Sequence, residues 1–150
     1  MPARSGRRAL IDSHGRTIRD LRLSITDRCN FRCVYCMEPD VKFARTADML
    51  KPDELVRLAR ICIDLGIEKV RITGGEPTVH PKLARIISGV AALGVQDIAM
   101  TTNGALATPA ACAAWKKAGL SRLTFSLDSV REDRFTRITR STSSAAQVID

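Results

Sequence analysis

Cys29, Cys33 and Cys36 stand in a C-x3-C-x2-C run. Thiols this close can converge on one metal centre, and thiolates are the usual protein ligands of iron–sulfur clusters. A structural zinc site normally closes with four ligands, yet the nearest histidine, His14, lies on the far side of the preceding strand. Three ligands imply an open position. A four-iron cluster held by three cysteines leaves one iron free for an exogenous ligand, which points to a reactive cluster more than to a passive electron carrier. Asp27, Arg28, Asn30 and Arg32 interleave with the cysteines, too polar a setting for thiols buried merely as small hydrophobes. Cys62 and Cys112 differ, because both fall among apolar neighbours in helical segments and read as core packing.

A second motif, Thr73-Gly74-Gly75-Glu76-Pro77, closes a later strand. Paired glycines let the backbone approach a ligand closely, and Glu76 offers an acceptor where an ammonium group could dock. In isolation such a run makes a tight turn. Beside a cluster motif it gains specificity.

These residues need a scaffold that gathers loops. Strands are expected at 20–26, 69–73, 97–102 and 122–127. Between the first two, Pro52, Asp53 and Glu54 open a helix whose stripe Leu55, Leu58, Ala59, Cys62 and Leu65 ends at Gly66. Pro81 opens a second helix running to Gly94, Thr108 and Pro109 cap a third that stops at Gly119, and Ser129 with Glu132 makes a capping box for a fourth. Alternating strands and helices indicate parallel βαβ units. Strand parity separates Leu21, Leu23, Ile25, Val70, Ile72, Leu123, Phe125 and Leu127 from Arg22, Ser24, Thr26, Arg71, Thr73, Thr124, Ser126 and Asp128. The third strand fits less well, with Ala99 and Thr101 on the polar face and Ile98 and Met100 on the other. Parallel sheets buried on both faces are apolar on both, so one polar face predicts an α/β fold of parallel βα repeats in a partial TIM-like barrel. Its site should lie at the C-terminal strand ends.

Composition sets outer bounds. The 150 residues suffice for one domain, divided here into a basic arm and lead-in at 1–19 and a core at 20–150. Only six aromatic residues, four phenylalanines, one tryptophan and Tyr35, argue against base stacking on aromatic surfaces. The net charge of +8 is scattered apart from Arg4, Arg7 and Arg8, so it suits a phosphorylated small molecule as well as a polyanion, and no nucleic acid partner is expected. No apolar run reaches the roughly 20 residues of a membrane span, and no signal sequence is recognisable; a cytoplasmic, reducing setting is expected for the five cysteines.

Together DLRLSITDRCNFRCVYC at 20–36, RITGGEP at 71–77, TTNG at 101–104 and SLDS at 126–129 resemble the radical S-adenosylmethionine (radical SAM) enzymes, and within them the GTP 3′,8-cyclase branch of molybdenum cofactor biosynthesis. The resemblance implies a 4Fe-4S cluster on Cys29, Cys33 and Cys36, S-adenosyl-L-methionine against Tyr35, Gly75 and Ser126, and GTP against Arg22, Arg71 and Thr101. It implies a lyase that converts GTP to (8S)-3′,8-cyclo-7,8-dihydroguanosine 5′-triphosphate by cofactor-borne radical chemistry, with no side chain assigned as acid or base. A flavodoxin or ferredoxin type electron donor and a downstream cyclic pyranopterin monophosphate synthase come with it, and a homodimer is left open. The family's second cysteine triad is absent from this chain, so the core is expected to be truncated before the rest of the barrel. The alternatives are a radical SAM enzyme acting on a peptide or tRNA, and a non-catalytic iron–sulfur or zinc binding module.

Overall fold

A computed structural model describes residues 9–95 and 97–149; the basic residues Arg4, Arg7 and Arg8 of the expected arm lie outside them. The chain begins with a small antiparallel hairpin, β1 (Leu10–Ile11) and β2 (Thr17–Ile18), in the lead-in where no element was expected. Asp12 organises its turn by accepting from the backbone of His14 and Arg16, a side-chain substitute for backbone turn bonds. Four parallel strands follow in sequential order: β3 (Asp20–Ser24), β4 (Lys69–Thr73), β5 (Asp97–Thr102) and β6 (Arg122–Phe125). This is the expected α/β arrangement, a partial barrel.

Each crossover carries a helix with a legible start. In α1 (Pro52–Asp64), proline occupies the first turn, where its missing N–H costs nothing, and Glu54 accepts from the Lys51 N–H at 2.7 Å. α2 spans Leu83–Ala91, two residues inside the expected start at Pro81. In α3 (Pro109–Ala118), the Thr108 hydroxyl accepts from the Ala111 N–H, and Gly119 at φ 113° ends the helix. The capping box expected for α4 (Glu132–Thr139) does not form. Arg131 occupies the cap position, the Ser129 hydroxyl accepts from the Arg131 N–H instead, and Glu132 reaches forward to the Ala146 N–H of α5 (Ala145–Ile149).

Register sets the two faces. Leu23, Ile72, Met100 and Leu123 lie side by side across the sheet, while Arg22, Arg71, Ala99 and Arg122 form the next row on the opposite face. The apolar face meets Leu55 and Ala59 of α1, Leu83, Ile86, Ile87 and Val90 of α2 and Trp115 of α3 in one core. Burial of such side chains, about 1.5–3 kcal/mol each, fixes the register, since a one-residue slip would exchange the faces. Within α1 the buried residues are Leu55, Ala59 and Ile63, whereas Leu58 and Leu65 of the expected stripe are exposed; the apolar arc of this helix is wider than the face it buries. Phe125, expected under cover, is 46% exposed because β6 is the last strand in the sheet order. Thr26 also departs from expectation: it is buried, with its carbonyl accepting from the Gly75 N–H. Among the described residues no helix is long and apolar enough to cross a membrane.

Candidate functional site

The cysteine loop follows β3 and is irregular, so its shape depends on what grips it. A second, smaller core lies against it, formed by Phe31, Ala105, Phe135 and Ala145 with Cys29, Cys33, Leu127 and Val148 packed around them. Phe31 meets Phe135 edge to face, with centroids 5.9 Å apart and planes at 86°, the arrangement ring quadrupoles favour. The end of α4 supplies the second grip. Arg140 adopts φ 48°, closing the helix in a left-handed turn, while the carbonyls of Ile138 and Thr139 accept from the Val34 and Arg32 N–H groups, both at 2.9 Å. Terminal helix carbonyls need such outside partners. Arg32 adds a third grip by donating to the carbonyls of Cys29, Phe31 and Pro39, with its guanidinium 5.0 Å over the Phe43 ring.

So held, Cys29, Cys33 and Cys36 line a cleft of about 200 Å³ with Tyr35, Gly75, Thr101 and Ser126. These seven of the nine expected site residues therefore share one cleft, at the C-terminal strand ends. All three thiols are free, Cys29 and Cys33 half-buried and Cys36 exposed. Burial pushes the Cys29 and Cys33 thiols up, partly offset at Cys29 by the Phe31 N–H and at Cys33 by the Tyr35 side chain. The Tyr35 hydroxyl donates across the cleft to both carboxylate oxygens of Asp128, at 3.0 and 3.1 Å. Tyr35 is largely exposed; partial desolvation at the cleft, then the Asp128 carboxylate, push its hydroxyl up, so it remains a donor at neutral pH.

The glycine pair is there for close approach. A Cβ at Gly74 would run into the Thr26 carbonyl, and one at Gly75 into the carbonyls of Asp27 and Arg28. The Gly75 and Glu76 N–H groups bond to the Thr26 and Arg28 carbonyls at 2.7 and 2.8 Å, seating this turn on the root of the cysteine loop. The expected role of Glu76 as an ammonium acceptor meets a different environment: it is 2% exposed, and its carboxylate accepts from Thr78, Thr102 and Asn103.

Arg22 and Arg71 line a separate cleft of about 450 Å³ further down the polar face, with Asp20, Lys69, Asp97, Ala99 and Arg122. It reaches the N-terminal strand ends, opposite the end expected to hold the site. Four cations face two carboxylates there, and one carboxylate, Asp97, is engaged by Arg122 at 2.9 Å. Arg71 Nη1 connects the two clefts by donating to Thr101 Oγ1 at 3.3 Å.

Does this donor set suit a cluster? Among the described residues no three His, Cys, Asp or Glu side chains converge as a single metal ion would require. Three free thiols lining one cleft suit a multi-iron cluster, in which each thiolate takes its own iron.

The profile described as the Radical SAM superfamily matches residues 23–150. The chain belongs to the radical SAM superfamily. Membership of that superfamily implies a 4Fe-4S cluster and S-adenosyl-L-methionine as cofactors. Similar curated proteins include the GTP 3′,8-cyclases of Marinobacter nauticus, 48% identical over 94% of this chain and 42% of that protein, and of Streptomyces coelicolor, 47% identical over 92% and 41%. The chain spans about two fifths of the length of these relatives. Among solved structures, Streptococcus suis SuiB bound to S-adenosylmethionine superposes with a TM-score of 0.71 at 18% identity, over 87% of this chain and 29% of that one. TYW1 with a lysine-pyruvate adduct gives 0.63 at 20%, over 93% and 50%. These two share the fold.

Several cleft residues were not singled out from sequence. Parity places Asp128 on the polar face but gives it no role, and Lys69 and Arg122 stand two residues before Arg71 and Thr124, so the same period-2 rule reaches them too. Asn103 stands within the TTNG run without a role of its own, while Phe31 and Phe135 carried no signal, because their roles depend on tertiary contacts.

Proposed function

We propose that this chain supplies the cluster, S-adenosylmethionine and triphosphate sites of a GTP 3′,8-cyclase, converting GTP to (8S)-3′,8-cyclo-7,8-dihydroguanosine 5′-triphosphate in molybdenum cofactor biosynthesis. The observation that carries the reading is a basic cleft joined to the cysteine cleft along one polar face by the Arg71–Thr101 contact. The sequence likeness to GTP 3′,8-cyclases supports it.

Bound together, the cluster and S-adenosylmethionine supply a 5′-deoxyadenosyl radical able to take the C3′ hydrogen of the GTP ribose. The residues of this chain do the positioning. Cys29, Cys33 and Cys36 hold the cluster. Gly75 would admit the amino acid end of the cofactor, Ser126, just past the end of β6, would contact it, and Tyr35, tethered to Asp128, would face its adenine end. Arg22 and Arg71 hold phosphate oxygens, for which a guanidinium offers paired, permanently charged donors. Thr101 then sits between triphosphate and cofactor, where orientation of the ribose governs the rate. An external one-electron donor of flavodoxin or ferredoxin type and a cyclic pyranopterin monophosphate synthase belong to this reading.

The test uses reduced holoprotein in its full-length context with GTP deuterated at C3′. Deuterium should appear in 5′-deoxyadenosine alongside a cyclised triphosphate seen by mass spectrometry. Unlabelled 5′-deoxyadenosine formed at the same rate without GTP would overturn the substrate assignment.

A further inference from the structure

Glu76 is the most completely buried carboxylate on the polar side of the site, and among the described residues none of the ion pairs includes it. Hydrogen bonds take the place of a cation. Oε1 accepts from the Thr78 N–H at 3.0 Å, the Thr78 hydroxyl at 2.6 Å and the Thr102 hydroxyl at 2.7 Å. Oε2 accepts from the Asn103 N–H at 2.7 Å. Bonds to an ionised acceptor are stronger than neutral ones, and leaving such a group unpaired in the interior is costly.

The network does not stop at the β4 and β5 tips. Asn103 donates from Nδ2 to Oδ1 of Asn30 at 2.8 Å, and its own Oδ1 accepts from the Ala105 N–H. Asn30 is the neighbour of Cys29. At its other end Glu76 is tied by its backbone to Arg28, on the opposite side of Cys29. Through its carboxylate and its backbone N–H, Glu76 thus connects the glycine turn, the β5 tip and both flanks of the first cysteine.

We propose that Glu76 is a positioning residue which, through Thr102, Asn103 and Asn30, fixes the cysteine loop relative to the glycine turn before any cofactor binds. Oε1 already has three donors, so the carboxylate acts here as a clamp between loops. A glutamine cannot replace it: its amide NH2 must face either the Thr78 N–H at Oε1 or the Asn103 N–H at Oε2, and neither can accept. This inference rests on the cluster being held by the three cysteines. Failure of that assignment would show as parent protein without iron, whereas failure of the clamp shows only in the variants.

The experiment follows iron loss to a ferrous chelator from reduced, reconstituted holoprotein without S-adenosylmethionine, together with the electron paramagnetic resonance spectrum of the same samples. Removing partners that orient metal ligands costs on the order of tenfold or more in affinity. Glu76→Gln is expected to speed iron loss by about tenfold and to alter the cofactor-free spectrum. Asn30→Ala, which cuts the link without touching the buried carboxylate, should accelerate loss as well, and the double variant should be no faster than Glu76→Gln alone. If Glu76→Gln yields no holoprotein, Asn30→Ala decides. Iron loss at the parental rate in Asn30→Ala, or a Glu76→Gln protein that binds S-adenosylmethionine weakly with parental iron loss and spectrum, would overturn the clamp.

Discussion

Phe135→Ala removes a ring with no exposed surface from the small core beneath the cysteine loop. Core Phe→Ala changes cost about 3–5 kcal/mol, of which the edge-to-face contact with Phe31 accounts for about 0.5–1.5 kcal/mol. For a chain of this size about 2–4 °C accompanies each kcal/mol, so the melting temperature should fall by about 6–20 °C. Global stability is the lesser part of the prediction. Phe135 anchors the helix whose last carbonyls hold Arg32 and Val34, so the cluster should leave faster than the loss of stability alone accounts for. Trp115→Ala provides the matched control, because Trp115 is buried in the main core away from the loop. Reconstituted holoprotein of each variant would be followed by circular dichroism for melting and by visible absorbance for cluster loss at a temperature where all remain folded. Cluster loss in Phe135→Ala no faster than in Trp115→Ala would refute the argument that α4 grips the cysteine loop.

In the cluster-free protein at neutral pH, iodoacetamide should label exposed Cys36 before Cys29 and Cys33, whose thiols burial pushes up and whose reaction should quicken as pH rises; equal labelling rates, mapped by mass spectrometry, would contradict that burial. Gly75→Ala drives a Cβ into two backbone carbonyls and should cost about 1–3 kcal/mol in chemical denaturation, with weakened S-adenosylmethionine binding; parental values for both would show that the turn yields freely. Arg71→Ala should weaken GTP binding to holoprotein by roughly tenfold or more by calorimetry, since a charge-assisted bond is worth about 1.5–3 kcal/mol, while iron content stays unchanged. Unaltered affinity would remove the arginine cleft from the substrate site.

Much of this was legible from parity and spacing. The period-2 pattern separated Arg22 and Arg71 from Leu21, Leu23, Val70 and Ile72, as the register now shows, because a sheet with one covered face writes its orientation into the sequence. Local rules worked where a single turn decides, as at Thr108 and Gly119. They failed where side chains had remote alternatives: Ser129 and Glu132 satisfy a capping pattern, yet Glu132 bonds to Ala146. The same limit hid the clamp. Glu76 had a plausible ligand role by position, and only the approach of Thr102 and Asn103 from the next strand reveals that its carboxylate is already occupied. The apolar arc of α1 misled in another way, since burial depends on which part of a wide arc meets the sheet.

The account turns on Cys29, Cys33 and Cys36 holding a cluster with one iron left open to the cofactor. Electron paramagnetic resonance of the reduced holoprotein, recorded before and after saturating S-adenosylmethionine, tests this directly. A clear change in the signal is expected on addition, since a new ligand joins the open iron. An unchanged spectrum from a fully loaded cluster would contradict it.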